Sequence, residues 1–134
     1  MAHASAGGSS PIGPVCTHYP MAEVSIAVPA PGTVVVSATV GVGIGHAIGT
    51  GDIARIVVAA TSVDCTVNNY TAFVSVPAGL PSNATYFETV PLLRPFSVGS
   101  AATYTFYING AMSAGWDLAD RFDSASLVAV YYPT

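Results

Sequence analysis

Hydrophobic and polar residues alternate along most of this chain with a period of two, which is the period of a β-strand. Residues 22–28 read AEVSIAV, so Val24, Ile26 and Val28 fall on one face of an extended strand. Turns rich in glycine, proline and asparagine separate further β-branched or aromatic runs, at residues 33–44, 53–61, 71–76, 85–93, 102–108 and 124–132. This spacing predicts an all-β fold: a single-domain antiparallel β-sandwich of the jelly-roll type, with about eight to ten strands.

The first 15 residues differ in composition from the rest of the chain. Residues 1–15 contain no Asp, Glu, Lys or Arg, few large side chains, and several glycines and prolines. Such a segment buries too little apolar surface to offset about 1–2 kcal/mol of backbone entropy per residue. We therefore expect residues 1–15 to be an N-terminal arm, flexible or bound to a partner, and residues 16–134 to be the sandwich domain.

A glycine-rich stretch at residues 41–51, GVGIGHAIGTG, raises the question of a phosphate-binding loop. A dinucleotide fingerprint needs the spacing Gly-x-Gly-x-x-Gly before a helix, and a P-loop needs a Gly-Lys pair. The third glycine is missing in either register, and the chain has no lysine. We interpret the stretch as a strand whose bare face carries Gly41, Gly43 and Gly45. This face either packs closely under a loop or forms a subunit contact.

The last predicted strand, SASLVAVYY at 124–132, is apolar on both faces. A strand in a two-layer antiparallel sandwich commonly keeps one face towards water. Val128, Val130 and Tyr132 share one of the two apolar faces. We expect this strand to be central in its sheet and these three side chains to lie in an oligomer contact.

Charge is sparse: the chain has three basic and seven acidic residues and a formal net charge of −4. Arg55, Arg94 and Arg121 are too few to form a phosphate-binding surface or a polybasic membrane patch, which argues against nucleic acid as a partner. No apolar run approaches the ~18 residues of a membrane-spanning helix. Because a weakly charged surface repels its own copies poorly, this composition favours self-assembly.

Cys16 and Cys65 are the two cysteines of the chain. They fit a buried pair, part of a metal site or one disulfide, and the absence of a Cys-x-x-Cys spacing favours the disulfide. The bond would close a loop of about 49 residues and stabilise the fold by roughly 4 kcal/mol. A disulfide indicates an oxidising compartment, so we expect an extracellular, cell-surface or virion location. Asn69 and Asn83 begin sequons and are candidate glycosylation sites.

The densest polar stretch is GWDLADRFD at residues 115–123. Its candidate metal or glycan residues are Trp116, Asp117, Asp120 and Asp123. Carboxylate oxygens are the ligands that Ca²⁺ prefers, although the spacing is not that of an EF-hand. The alternative is structural, with Arg121 neutralising one carboxylate and the others capping turns. We expect the structural role, and no cofactor.

Catalytic constellations are absent from the sequence. It contains no Gly-x-Ser-x-Gly motif, and its carboxylates are scattered outside the stretch at 115–123. A catalytic histidine must be held by an acid and placed against a nucleophile, and neither His18 nor His46 has such a context in the sequence. We expect both histidines to be structural and the protein not to be an enzyme.

Two segments resemble parts of C1q/TNF-like jelly rolls. VSIAVPAPGTVVVSATVGV, residues 24–42, resembles the place where a strand of that family runs into a Pro-x-x-Gly turn and then a long strand. DRFDSASLVAVYYPT, residues 120–134, is similar to the family's last strand. Val34 to Val36 stand where the family usually has aromatic residues. The resemblance implies a trimeric jelly roll that recognises a ligand and is not catalytic.

These observations give two expectations for function. The first is a non-catalytic extracellular structural protein that assembles with its own copies as a surface filament, coat or virion component. The alternative is a secreted C1q/TNF-like trimeric module that recognises a protein or a glycan. Neither expectation includes nucleic acid or a membrane span.

Overall fold

A computed structural model describes residues 1–82 and 84–134, and these form two antiparallel four-stranded sheets packed face to face. The strands are, in chain order, β1 (Ala2–Pro11), β2 (Thr17–Val28), β3 (Gly32–His46), β4 (Asp52–Ala59), β5 (Ala72–Val76), β6 (Ala84–Val98), β7 (Ala102–Ala114) and β8 (Arg121–Pro133). The first sheet has the order β1-β8-β3-β6 and the second β2-β7-β4-β5. This order is the double Greek key of a jelly roll, which confirms the predicted fold class. No helix in the described part of the chain is long and apolar enough to cross a membrane.

The core lies between the two sheets and follows the alternation in the sequence. In β3, Val34, Val36, Ala38 and Val40 are buried, and the alternate residues Val35, Ser37 and Thr39 face the outside of the sandwich. Both sheets contribute large side chains that are buried completely, including Tyr19, Ile44, Ile56, Ile108, Phe122 and Leu127. β8 lies between β1 and β3, so the predicted central position of the last strand is confirmed.

The segment that we expected to be an arm forms the edge strand β1. It pairs antiparallel with β8 of the same chain, and Ala2 lies opposite Ala129. The Tyr19 side chain stacks on Phe122, with ring centroids 4.8 Å apart, and its hydroxyl donates to the Gly8 carbonyl at 2.8 Å. These contacts correct the expected domain boundary at residue 15. Backbone pairing along β8 supplies the order that the small side chains of the segment cannot supply.

The predicted disulfide is present between Cys16 and Cys65. It joins the β1–β2 connection to residues 60–71, the loop between β4 and β5. The cystine packs on apolar residues at the outer side of the second sheet, Val57, Ala59 and Ala111. The side-chain amide of Asn109 donates to the Asp64 carbonyl at 2.8 Å. The bond and this amide together hold the loop over the outer face of the second sheet.

Candidate functional site

Four connections between strands lie together at one end of the sandwich, which we call the loop end. They comprise residues 12–16, 47–51, 77–82 and 115–120. Backbone hydrogen bonds join them: Gly49 N–H donates to the Ala78 carbonyl at 2.8 Å, and Ile12 N–H donates to the Asp120 carbonyl at 3.0 Å. The candidate metal or glycan loop is therefore one part of a continuous surface.

The three aspartates of that loop face separate partners. The Asp120 carboxylate is buried and accepts the backbone N–H groups of Gly45 at 2.9 Å and Asp117 at 2.7 Å. The Asp117 carboxylate caps the turn that it begins, and Asp123 forms an ion pair with Arg121 at 2.9 Å. Ca²⁺ needs several oxygen ligands that converge on one point, and these carboxylates do not converge. Within residues 1–82 and 84–134, no group of three or more His, Cys, Asp or Glu side chains could hold a metal ion.

The Asp120 carboxyl has a raised pKa because it is buried. Desolvation raises the pKa of its carboxyl to about 6, against the lowering effect of its two backbone N–H donors. The negative charges of Asp117 and Asp52 also raise this pKa. The ionised carboxylate makes charge-assisted hydrogen bonds to two backbone donors, which fixes β3 to the loop at 115–120.

A buried histidine–aspartate pair lies beneath the same surface. His46 Nδ1 is hydrogen-bonded to the Asp52 carboxylate, and both side chains are almost fully buried. His46 Nε2 donates to the Leu80 carbonyl at 3.0 Å, which assigns a proton to that nitrogen because a carbonyl only accepts. The ring also meets Tyr86 edge-on, with centroids 5.7 Å apart. Both ring nitrogens are therefore engaged in bonds that hold loops together, and neither is placed against a nucleophile.

The glycine face of β3 is covered by its own chain. Gly41, Gly43 and Gly45 are all buried. A Cβ atom on Gly41 would lie 2.6 Å from Ser124 Oγ, and one on Gly45 would lie 2.8 Å from the Cβ of Ala119. Of the two alternatives for this face, the contacts fit close packing within the chain rather than a subunit contact, because neighbouring side chains fill the space that a second subunit would need.

The other expected interface residues do lie on an open surface. Val128, Val130 and Tyr132 belong to the outer face of the first sheet, and Tyr132 is more than half exposed. The strand register places with them small or apolar side chains: Ser5, Val35, Ser37, Thr39, Pro91, Leu93, Pro95 and Ser126. Among the described residues, the charged side chains of this face are the paired Arg121 and Asp123 near the loop end, and the titratable imidazole of His3 lies opposite Val128.

A groove of about 490 Å³ crosses this outer face. Its exposed lining consists of Ser37 and Thr39 from β3, Pro91 and Leu93 from β6, and Ser126 and Val128 from β8. In the register, Ser37 lies directly between Leu93 and Val128. A small side chain between two larger ones leaves a depression, so the sequence of β3 creates the groove.

Four large apolar side chains are exposed at the loop end, and we call them the apolar tip. They are Ile48, Leu80, Trp116 and Leu118, with exposed fractions of 65%, 37%, 51% and 89%. Of these four, only Trp116 was expected from the sequence to be functional, because apolar residues within glycine- and proline-rich turns have no periodic pattern. Their position within turns is itself a signal of exposure, because turns lie on the protein surface and seldom bury apolar side chains.

The two candidate glycosylation sites are Asn69 and Asn83. Asn69 is exposed in the loop at 60–71, so its side chain is accessible to modification. Asn83 lies outside the described residues. Asn69 therefore remains a candidate glycosylation site on structural grounds.

Comparison with known proteins does not identify a family. No protein-family model matches the chain, and no curated protein is significantly similar to it. The candidate functional sites of the molecule are therefore two surfaces, the groove and the apolar tip.

Proposed function

We propose that this protein is a non-catalytic structural subunit that assembles with its own copies outside the cell, in a surface filament, coat or virion. The observation that carries the proposal is the outer face of the first sheet, which is nearly uncharged and contains a groove of about 490 Å³. Burying such a face removes few charged groups from water, and two copies do not repel each other there. Exposed apolar patches of this kind mark interaction sites.

Two of the four sheet edges, those formed by β6 and β5, are poorly suited to pairing with another chain. β6 is 15 residues long, but Pro91 and Pro95 remove backbone donors from this edge strand. β5, at an edge of the second sheet, has 5 residues. Short edges and edge prolines both hinder pairing with another chain. Contact through side chains of the outer face fits these features better than strand addition at those edges.

Two further observations support the proposed extracellular location and non-catalytic role. The Cys16–Cys65 bond is of the kind that persists in an oxidising, extracellular environment. The closed hydrogen bonding of the buried His46–Asp52 pair supports a structural role for that pair. Together these observations favour a scaffold protein over an enzyme.

A charge placed in the groove tests the proposal. Ser126→Asp puts a carboxylate in the groove, and Ser75→Asp puts the same charge on an exposed position of the second sheet. We expect the wild type and Ser75→Asp to associate as concentration rises, and Ser126→Asp to stay monomeric under the same conditions. Sedimentation velocity, with electron microscopy of the same samples, measures the outcome. A wild type that is monomeric at every concentration contradicts the proposal.

The second candidate is a secreted C1q/TNF-like trimeric module that binds a glycan or a protein. Trp116 favours it, because an indole exposed over 51% of its surface offers a sugar ring a flat apolar partner. Phe73, also 51% exposed but on the second sheet, provides the matched control. On a glycan array, Trp116→Ala is expected to abolish binding and Phe73→Ala to preserve it. No wild-type binding, or equal loss in both variants, would count against this candidate.

A further inference from the structure

We propose that the apolar tip of one copy seats in the groove of the next, so that the copies associate head to tail. This inference rests on the proposed function and names the two surfaces that meet. The tip is convex and the groove is concave. They cannot meet within one molecule, because the tip projects from the loop end and the groove crosses the outer face of the first sheet.

The most exposed residue of the tip is held in a fixed position. Asp120 N–H donates to the Asp117 carbonyl at 3.1 Å and closes a turn in which Leu118 is the second residue. The buried Asp120 carboxylate anchors the same turn to Gly45 of β3. Because the turn is already ordered, little conformational entropy is lost when Leu118 binds a partner. Leu118, 89% exposed, is thus a preorganised apolar knob.

The groove has the size and chemistry to receive such a knob. A protein cavity of about 150 Å³ accommodates a benzene molecule. The groove, at about 490 Å³, therefore has room for more than one large side chain. Leu93, Pro91 and Val128 offer apolar walls, and the hydroxyl groups of the floor remain able to bond to water or to backbone groups of the incoming loop.

Electrostatics do not oppose this contact. The groove is lined without a charged residue. At the loop end, Asp52 and Asp120 are buried, and the Asp117 carboxylate is engaged by the N–H of Ala119 at 2.7 Å. The four tip side chains are apolar and the groove lining is uncharged, so the half-buried Asp117 carboxylate between Trp116 and Leu118 must lie at the solvated rim of the contact.

The symmetry of the contact determines the kind of assembly. A contact between two different surfaces is heterologous, so every open oligomer keeps a free tip at one end and a free groove at the other. Such a contact generates a ring if the rotation closes and an open filament if it does not. The loop end measures roughly 20 Å by 20 Å from standard sheet spacings. A contact of about 400 Å² per partner is roughly half the ~800 Å² per partner of a standard stable interface, which is the range of weak, transient contacts. We therefore expect association to be weak per contact and to depend strongly on concentration.

Mixing two variants tests the head-to-tail arrangement. Leu118→Asp damages the tip, Ser126→Asp damages the groove, and Ser75→Asp is the control with the same change in charge. Each damaged variant is expected to bind itself about tenfold or more weakly than the wild type. An equimolar mixture of the two is expected to form a heterodimer of twice the 13.5 kDa monomer mass, through the intact tip of one and the intact groove of the other. Circular dichroism and intact mass establish that all variants are folded and oxidised.

The outcomes separate this inference from the proposed function. If Leu118→Asp assembles as the wild type does, or if the mixture yields no heterodimer while the wild type assembles, the head-to-tail contact is wrong and the proposed function stands. A symmetric contact between two outer faces predicts that combination of results. If the wild type does not assemble, the proposed function fails and this inference fails with it.

Discussion

Removal of the disulfide gives the sharpest test of how the sandwich is stabilised. Cys16 and Cys65 lie 49 positions apart, so the bond restricts a long loop of the unfolded chain. The chain-entropy relation gives about 4 kcal/mol for a loop of this length. Unfolding entropy is about 2.1 cal/mol/K per residue near the midpoint, so Cys16→Ser combined with Cys65→Ser should lower Tm by about 14 °C. Loss of cystine packing against the second sheet adds to this decrease.

Thermal melts and urea titrations of the double variant provide the assay, with reduced and alkylated wild type as a control for the serine substitutions. If the bond acts on the unfolded state, its removal also exposes more surface on unfolding, so the urea m-value should increase. A decrease in Tm of less than about 3 °C would refute the entropic account, because it would show that the unfolded loop is already restricted.

Three further predictions concern single residues. The raised pKa of Asp120 means that the folded state still binds a proton between about pH 4 and pH 6, after the unfolded state has released it. The free energy of unfolding therefore falls as pH rises through this window, by at most about 3 kcal/mol. Asp120→Asn should remove this decrease in urea titrations measured from pH 4 to 8. Tyr19→Phe removes the donor to the Gly8 carbonyl and should lower the free energy of unfolding by about 1 kcal/mol in denaturant titrations, and an unchanged value would contradict this bond. Gly45→Ala places a Cβ 2.9 Å from the Asp117 carboxylate and should destabilise the fold by about 1–3 kcal/mol in the same assay, with Gly79→Ala, whose Cβ meets nothing within 4 Å, as the control.

Much of the sandwich could be predicted because its strands encode burial by alternation. β3 places apolar side chains inward at every second position, and the outward face of β8 contributes Val128 to the groove wall. The disulfide could be predicted because the chain has two cysteines and lacks the spacing of a metal motif. These inferences use local patterns and residue counts, which a single sequence contains.

Long-range placement accounts for what could not be predicted. β1 was missed because backbone pairing with β8, more than 100 positions away, supplies its order, although its alternating alanines at positions 2, 4 and 6 are a weak signal. Gly45 shows the same limit, since its sequence context indicates a bare face but not that Ala119 covers it. The apolar tip required the positions of three separate loops, which only the fold brings together.

The position of β8 also has a consequence for the order in which the protein can fold during synthesis. The ribosome makes β1, β3 and β6 first, yet β1 can pair with its neighbour in the first sheet only when residues 121–133 have emerged. Until then, β3 can pair with β6 along one edge alone, and its other edge, where β8 will insert, has no strand beside it. Folding dominated by such distant pairings is slow and leaves apolar strands exposed to other chains. Rapid synthesis therefore exposes incomplete chains to aggregation until β8 has emerged.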